Sequence, residues 1–478
     1  MPGPAQSTHM FSQLDAALER TPTTSAHYRV FLMVAAGSLF NVIEQYNAGY
    51  ASPVLRDLWG LSATAVSALS TATFLAMAAG SLATGYLADR FGRKYLFMVN
   101  VGLYTAGSLL AALAPNYLTL FIARVIIGMG LGGEIGLGYT VLAEIVKAKV
   151  RGAFASSLAL ISSGVGVFAA SGLAALILGP LSTPLGGESI AWRWLFGIMV
   201  IPAFLILFFR RYIPETPRYL LRQGHVEEVN AILSRFAAGK LSDGAGVETK
   251  TWITAAEGTR VSVGQEKVAF SELFVAGLRR RTFVAWALTL AQFGGFATFA
   301  IFTPTLFEAR GLSVSSSLLF ATVANFAGLI GAAVGVLTAQ YMRRRAVYAI
   351  GGAVLVFTIG ALATTSSAVL TLTLAALMQF VFQTVNSTNW CYLPELFPTR
   401  VRAVGAGTAT TVGMLASGFG PLVAGALIDG YGIPAVFLFL GVLVSVFCVA
   451  SRFGPETRGI DLVEVASDIE EERNPIGA

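Results

Sequence analysis

An all-α membrane protein, with twelve transmembrane helices in two pseudo-symmetric six-helix bundles, is the fold class the sequence predicts, and three observations carry it. The chain is 55% hydrophobic and only 12% charged, with a mean hydropathy of +0.70. A soluble core cannot hide so much apolar surface. Apolar stretches of about 20 residues recur along it, the length a helix needs to cross roughly 30 Å of hydrocarbon. Landmarks also repeat. A step of 251 residues separates Asp89 from Gln340, Glu144 from Glu395 and Arg151 from Arg402 (340 − 89, 395 − 144 and 402 − 151). Pro214-Glu215-Thr216 returns more loosely as Pro455-Glu456-Thr457. The chain reads as two copies of one membrane half.

Residues 1–28 form a polar cytoplasmic lead-in. Met10, Phe11, Leu14 and Leu18 fall there at helical spacing, which fits either a short helix on the membrane surface or a frayed tail. The N-terminal bundle takes residues 29–212, with spans near 29–52, 65–88, 95–114, 118–142, 152–178 and 193–212. Between its second and third spans, Gly85–Lys94 (GYLADRFGRK) is a polar hinge so short that the flanking helices must be antiparallel neighbours. A polar cytoplasmic linker follows at 213–281, with amphipathic helices expected at His225–Phe236 and Phe270–Arg281. The C-terminal bundle takes residues 282–452, with spans near 282–306, 315–341, 346–364, 368–393, 401–427 and 433–452. Its echo of the hinge is Gln340–Arg345 (QYMRRR), and residues 453–478 are a cytoplasmic tail.

Orientation comes from the basic residues. Arg90, Arg93, Lys94, Lys147, Lys149, Arg151, Arg343, Arg344, Arg345, Arg400 and Arg402 all fall on the side shared by both termini. The positive-inside bias makes that side cytoplasmic and the protein one of the plasma (bacterial inner) membrane. The net charge of +6 is therefore topogenic, and no nucleic-acid partner is expected. Cys391 and Cys448 both lie in apolar runs, which argues against a disulfide framework. His9, His27 and His225 lie outside the expected spans without metal-ligand spacing, and no Walker loop is present. Neither a metal, a cofactor, ATP nor an enzymatic reaction is expected. Gly128, Gly130, Gly132 and Gly133 mimic a dinucleotide loop, but no strand precedes them, and close helix packing accounts for them better.

These residues carry a family resemblance. Gly85–Lys94 resembles the loop 2–3 signature of the major facilitator superfamily. The Glu-x6-Arg pairs at 144/151 and 395/402, Pro214–Leu220 (PETPRYL), Pro455–Gly459 (PETRG) and the run Trp390-Cys391-Tyr392-Leu393-Pro394-Glu395 resemble its sugar-porter and metabolite:proton symporter branch. The resemblance covers all twelve spans. It implies two bundles around a central cavity that opens alternately to each side of the lipid bilayer, in a functional monomer that binds a small-molecule substrate at the interface of the halves. The departures matter too. Asn47 stands where hexose porters of the branch carry an acidic residue, Gln292 is followed by Phe293-Gly294-Gly295, and Asn386-Ser387-Thr388-Asn389 replaces a Gly/Pro-rich approach to Trp390. Those positions would grip a sugar, so another small metabolite is expected.

A charge at the middle of a membrane helix costs roughly 2.5–3.5 kcal/mol on insertion scales. Glu44, Arg124 and Glu134 stand at such places. Glu44 and Arg124 both lie roughly 10 Å below the external surface, so they can pair, as proton coupling would use; a static pair fixing two helices is the plainer alternative. Glu134 lies about 24 Å from the outer end of its span and is either a second proton site or an interhelical hydrogen-bond partner. Substrate contacts are expected from Asn41, Gln45, Tyr46, Asn47, Gln292, Asn325, Gln379, Gln383, Asn386, Asn389 and Trp390; each alone is more often an interhelical bond than a ligand contact, and clustering favours Asn47, Gln383, Asn389 and Trp390. On the cytoplasmic face, Asp89 with Arg93 and Glu144 with Arg151 read as a gating latch, matched by Glu395 and Arg402. Gln340 in place of an acid should make the second latch weaker. The leading expectation is a secondary transporter importing a small polar organic metabolite, an organic acid or related solute, with the proton as coupling ion. A proton-independent facilitator of a neutral solute and a proton-driven exporter stay open beside it.

Overall fold

A computed structural model describes residues 4–202, 214–241, 246–254, 269–275, 277–398 and 400–457, with the side chains at 4–9, 89, 135 and 148 excepted. Helix α1 (Pro4–Arg20) precedes the first bundle. That bundle runs α2 (Ser25–Trp59), α3 (Ala63–Phe91), α4 (Arg93–Ala112), α5 (Tyr117–Ile145), the pair α6 (Ala148–Ala159) and α7 (Val167–Leu178), and α8 (Glu188–Gly197). Linker helices α9 (Pro217–Gln223) and α10 (Val226–Ala237) follow. The second bundle is α11 (Leu278–Glu308), α12 (Val314–Tyr341), α13 (Arg344–Thr364), α14 (Ala368–Glu395), α15 (Arg402–Tyr431) and α16 (Ile433–Phe453). Among the described residues eleven helices are long and apolar enough to cross a membrane. The expected sixth span, 193–212, is described only to residue 202; the remainder, like the tail from residue 458, lies outside the described residues.

External helix starts follow local rules. Ser62, Asn116, Ser313 and Ser367 cap α3, α5, α12 and α14 by accepting the backbone N–H of Ala65, Thr119, Ser316 and Leu370. At the cytoplasmic hinge α3 is helical to Phe91, so a single residue, Gly92, separates it from α4. Gly92 has φ 96°, a left-handed conformation that suits glycine, and a Cβ there would strike the Glu215 carboxylate. Between α6 and α7 the chain does not break: Leu160–Gly166 continues as π-helix, and Gln383 of the opposite bundle donates to the Ser163 carbonyl at 2.6 Å. Such widened turns recur at functional sites.

Small residues draw the spans together. Gly128 and Gly132 of α5 lie against the carbonyls of Thr73 and Met77 in α3, where a Cβ would not fit. The glycine cluster is thus a packing face. The two bundles meet along two seams. In one, Ala63, Ser67, Thr71 and Phe74 of α3 face Asp429, Gly425 and Gly418 of α15. In the other, Gly179, Gly172, Phe168 and Gly164 face Ser315, Thr322, Phe326 and Leu329 of α12. Both seams run from the ends at which α3 and α12 begin to the middle of the helices. Asp429 fastens the outermost turn, accepting from the backbone of Ala63 at 2.9 Å and of Thr64 at 2.8 Å, and from the Thr64 hydroxyl at 2.6 Å. The bundles are thus joined at the ends where α3 and α12 begin.

The lead-in and the linker depart from expectation. Met10, Leu14 and Leu18 are buried against Leu220, Val229, Leu233 and Phe236 of the linker helices and Leu142 and Ile145 of α5. The apolar face of α1 covers protein, and it is not turned to lipid. The helix expected at Phe270–Arg281 is a short 3-10 turn, Phe270–Phe274, and α11 begins at Leu278.

Two predictions test these contacts. Asp429→Ala should raise labelling, by an impermeant thiol reagent from outside, of a cysteine placed at Thr71 in a chain lacking Cys391 and Cys448; unchanged labelling would show that Asp429 does not hold the seam. Because Glu215 and Glu456 each receive the first free N–H groups of a span (Arg93 and Lys94; Arg344 and Arg345), Glu215→Ala and Glu456→Ala should each cost about 1 kcal/mol of stability. Thermal unfolding in detergent reads this, and unaltered midpoints would count against the capping role.

Candidate functional site

Below the seams lies a cavity of about 150 Å³ between the halves. Its wall takes Gln45 and Tyr46 from α2, Tyr139 from α5 and Ser162 and Ser163 from the π-helical turn. The opposite bundle supplies Phe293 and Phe296 of α11, Asn386 and Trp390 of α14, and Thr410, Met414 and Ser417 of α15. Trp390 is 41% exposed and stands 5.9 Å from Phe293, ring to ring; Tyr46 and Phe296 meet edge to face at 6.2 Å. Among the described residues lining the cavity none is charged. Flat aromatic faces edged by amides and hydroxyls suit a small, partly apolar solute with several hydrogen-bonding groups.

Of the expected substrate contacts, Gln45, Asn386 and Trp390 line this cavity, together with Tyr46. The other side chains are engaged with protein. Asn41 donates to Glu134 at 3.0 Å and to the Leu131 carbonyl at 2.9 Å. Asn47 donates to the Leu195 carbonyl at 2.8 Å, Gln292 to the Phe382 carbonyl at 3.0 Å, and Gln379 to Asn325, which itself donates to the Tyr50 hydroxyl. Gln383 spans the halves to Ser163, and Asn389 accepts from the Tyr348 hydroxyl at 3.2 Å. Sequence reasoning passed over Tyr139, Ser162, Ser163, Phe293, Thr410 and Ser417. The one available signal was the pair Ser162-Ser163 ahead of Gly164 and Gly166, hydroxyls beside a stretch loose enough to widen.

Glu44 and Arg124 do meet. Arg124 Nη1 lies 2.7 Å from Glu44 Oε1, with both side chains wholly buried. The same guanidinium donates to the carbonyls of Glu44 and Gln45 and stands 5.8 Å from the Phe196 ring centre. Asn47 adds a donor to Glu44 Oε2 at 3.3 Å. The pair therefore joins α2 to α5 immediately behind Gln45, whose side chain faces the cavity. Glu134 is buried as well, with one oxygen on Asn41 and Gly37 opposite the other.

At the helix ends beside the Gly92 turn and its repeat the charge pairs differ from the expected ones. Arg93, which opens α4 beside the end of α5, pairs with Glu144 at 3.3 Å, while Arg151 donates to the Val146 carbonyl. The Asp89 side chain lies outside the described residues. One repeat later the geometry recurs: Arg344 grips Glu395 with bonds of 3.1 and 2.9 Å, and Arg402 donates to the Phe397 carbonyl. Thr457 adds a 2.5 Å bond to Glu395. Each cluster ties helices within its own bundle. Burial pushes the Glu215 carboxyl up from its usual range, against the pull of the Thr216, Lys94 and Arg93 backbone N–H groups.

Residues 24–468 match the family model described as sugar (and other) transporter. The chain is 28% identical over 475 residues to the inner membrane metabolite transport protein YdjE of Escherichia coli, covering 95% of this chain and 99% of that protein. It is 27% identical to the niacin transporter NiaP of Acinetobacter baylyi, with 95% and 99% covered. Among solved structures, the D-xylose-proton symporter superposes with a TM-score of 0.68 at 19% identity, covering 91% of this chain and 99% of that one. An inward-open structure of the xylose transporter XylE from Escherichia coli also gives 0.68, at 18% identity over 92% and 99% of the chains. Those likenesses concern the fold. The family-model match, spanning both bundles and the linker, shows that this chain belongs to the sugar (and other) transporter family of the major facilitator superfamily and is an integral membrane transporter.

Proposed function

We propose that the protein imports a small polar organic metabolite together with a proton, by alternating access across the bacterial inner membrane, with both termini cytoplasmic, as a monomer without a bound cofactor. The observation that carries this reading is the wholly buried Glu44–Arg124 pair directly behind Gln45 and Tyr46 on the cavity wall. An ion pair this deep stabilises little over an apolar contact, so structural stability alone is a poor reason to keep it. Its use is as a switch. While paired, Glu44 holds α2 to α5. A proton on Glu44 removes the charge attraction and frees α2 to move, and with it the wall that touches solute. Solute that favours the freed arrangement then favours the protonated protein, so the two fluxes are linked.

The relatives support the class. A D-xylose-proton symporter shares the fold, and a niacin transporter is among the relatives. The uncharged lining, with Trp390 and Phe293 at one end, points to a flat solute bearing few or delocalised charges, bound by Gln45, Asn386 and the hydroxyls of the π-helical turn. Asn41, Asn47, Gln292, Asn325, Gln383 and Asn389 then act by holding the helices that present these contacts. The Arg93–Glu144 and Arg344–Glu395 clusters keep each bundle rigid as the halves rock, and gating belongs to them in that sense.

Glu44→Gln should abolish pH-driven accumulation in proteoliposomes while solute exchange at equal pH persists; accumulation by the variant would move the coupling role elsewhere, and a wild type indifferent to the gradient would make the protein a facilitator. Arg124→Ala should impair both activities, since it strands a buried carboxylate at a cost of about 3–5 kcal/mol. For Trp390→Ala, a thermal-shift screen against a metabolite library followed by titration of the hit should show affinity about tenfold weaker, some 1.4 kcal/mol. Unchanged affinity in a folded variant would remove Trp390 from the contact set.

A further inference from the structure

Inside the N-terminal bundle, away from the solute cavity, buried polar groups stand in a row. On α4 the side chains of Asn100, Tyr104 and Ser108 recur every four residues, so they share one face, and all three are buried. Asn100 accepts from the Thr84 hydroxyl at 3.2 Å, and its Nδ2 has no protein partner. The Tyr104 hydroxyl, Glu134 Oε1, Asn41 Oδ1, Asn47 Oδ1 and Arg124 Nε are likewise buried without one. An orphaned buried polar atom costs about 1–3 kcal/mol, a cost that internal water bonded to these groups would remove. Tyr104 is the sharpest case. Tyr50, Tyr348 and Tyr392 are as deeply buried, yet their hydroxyls bond to Asn325, Asn389 and the Pro455 carbonyl.

Position gives the row a direction. Tyr104 and Asn100 of α4 lie against Gly130 and Gly133 of α5, beside Glu134. Glu134 hangs from Asn41, one turn of α2 below Glu44, and Gly130 and Gly133 of α5 let α4 approach Glu134 through Tyr104 and Asn100. The ionisable groups facing this space are Glu44 from α2, Tyr104 from α4 and Arg124 and Glu134 from α5. None of the four is among the residues lining the solute cavity. These groups therefore stand apart from the residues that line the solute cavity.

We infer that Tyr104 and internal water join Glu134 to Glu44 in a proton path within the N-terminal bundle, separate from the solute cavity. In one transfer the Glu44 carboxyl gives its proton to the phenol oxygen as the phenol's own proton passes to hydrogen-bonded water, and that water protonates the Glu134 carboxylate. Glu44 ends ionised, Glu134 neutral and Tyr104 unchanged; rotation of its O–H resets the path, and an acid jump drives the same steps in reverse. The inference rests on Glu44 as the coupling carboxylate, so its test uses no transported solute.

The first arm is X-ray radiolytic footprinting of the purified wild-type protein in ¹⁸O-labelled water, read residue by residue. Tyr104 should be oxidised while Tyr50, Tyr348 and Tyr392 are spared; protection of Tyr104 equal to theirs would overturn the path. The second is infrared spectroscopy after a pH jump on protein in lipid nanodiscs. A carboxyl band should arise in wild type and be lost in Glu44→Gln. In Tyr104→Phe, which keeps the ring, the same band should appear about 100-fold more slowly, the low end of what a positioned proton-transfer group contributes. A Tyr104→Phe rate equal to wild type would overturn the path. Failure of pH-driven uptake in wild type would overturn the coupled-import reading; a labelled Tyr104 with a slowed Tyr104→Phe would leave the path standing.

Discussion

A single buried contact, Arg124 on Glu44, sets the terms for the rest of the molecule. Neither charge is tolerable alone at that depth, so wherever one goes the other must follow or a proton must take its place. The guanidinium also holds the carbonyls of Glu44 and Gln45, which fixes the local course of α2 and with it the direction of the Gln45 side chain. Asn47, reaching from Glu44 to the Leu195 carbonyl, extends the constraint to α8. Three helices of one bundle thus meet at one carboxyl group and its partners.

What the pair controls is positioned by packing. The external seams close because small residues on α7 and α15 let α12 and α3 approach, and Asp429 satisfies the free N–H groups at the start of α3. At the opposite helix ends the Arg93–Glu144 and Arg344–Glu395 clusters repeat with the same step as the sequence, each braced by a glutamate that caps the adjoining span. The bundles are therefore stiff in themselves and joined at their outer edges by contacts that involve few strong bonds. That is the mechanical arrangement a rocking transporter needs.

Much of this was legible in the residues. Span lengths, the repeat and the one-sided basic loops follow from hydrocarbon thickness and insertion bias, which act on each segment separately. The meeting of Glu44 and Arg124 was legible because depth can be counted along a helix and a buried charge needs a partner. The cavity wall was not. An asparagine at Asn389 or Asn325 looks the same in sequence whether it faces solute or a neighbouring helix, and rotation about the helix axis is set by packing that composition does not encode. Phe293, beside the expected Gln292, lies on the cavity face because successive helical residues point about 100° apart. The pairing of Arg93 with Glu144 likewise depends on two helix ends meeting across a one-residue turn, which spacing along the chain cannot show. The role of α1 was hidden for another reason. An apolar stripe needs covering, but only the fold says that α9 and α10 cover it.

Coupled import requires Glu44 to carry the proton that moves with the solute, and proton movement can be read directly. With proteoliposomes in a lightly buffered suspension at equal pH inside and out, adding the solute identified by thermal-shift screening should alkalinise the external medium as protons enter with it. Glu44→Gln liposomes should admit solute without that change. Alkalinisation by Glu44→Gln equal to wild type, or solute entry into wild-type liposomes with no pH change, would contradict the account.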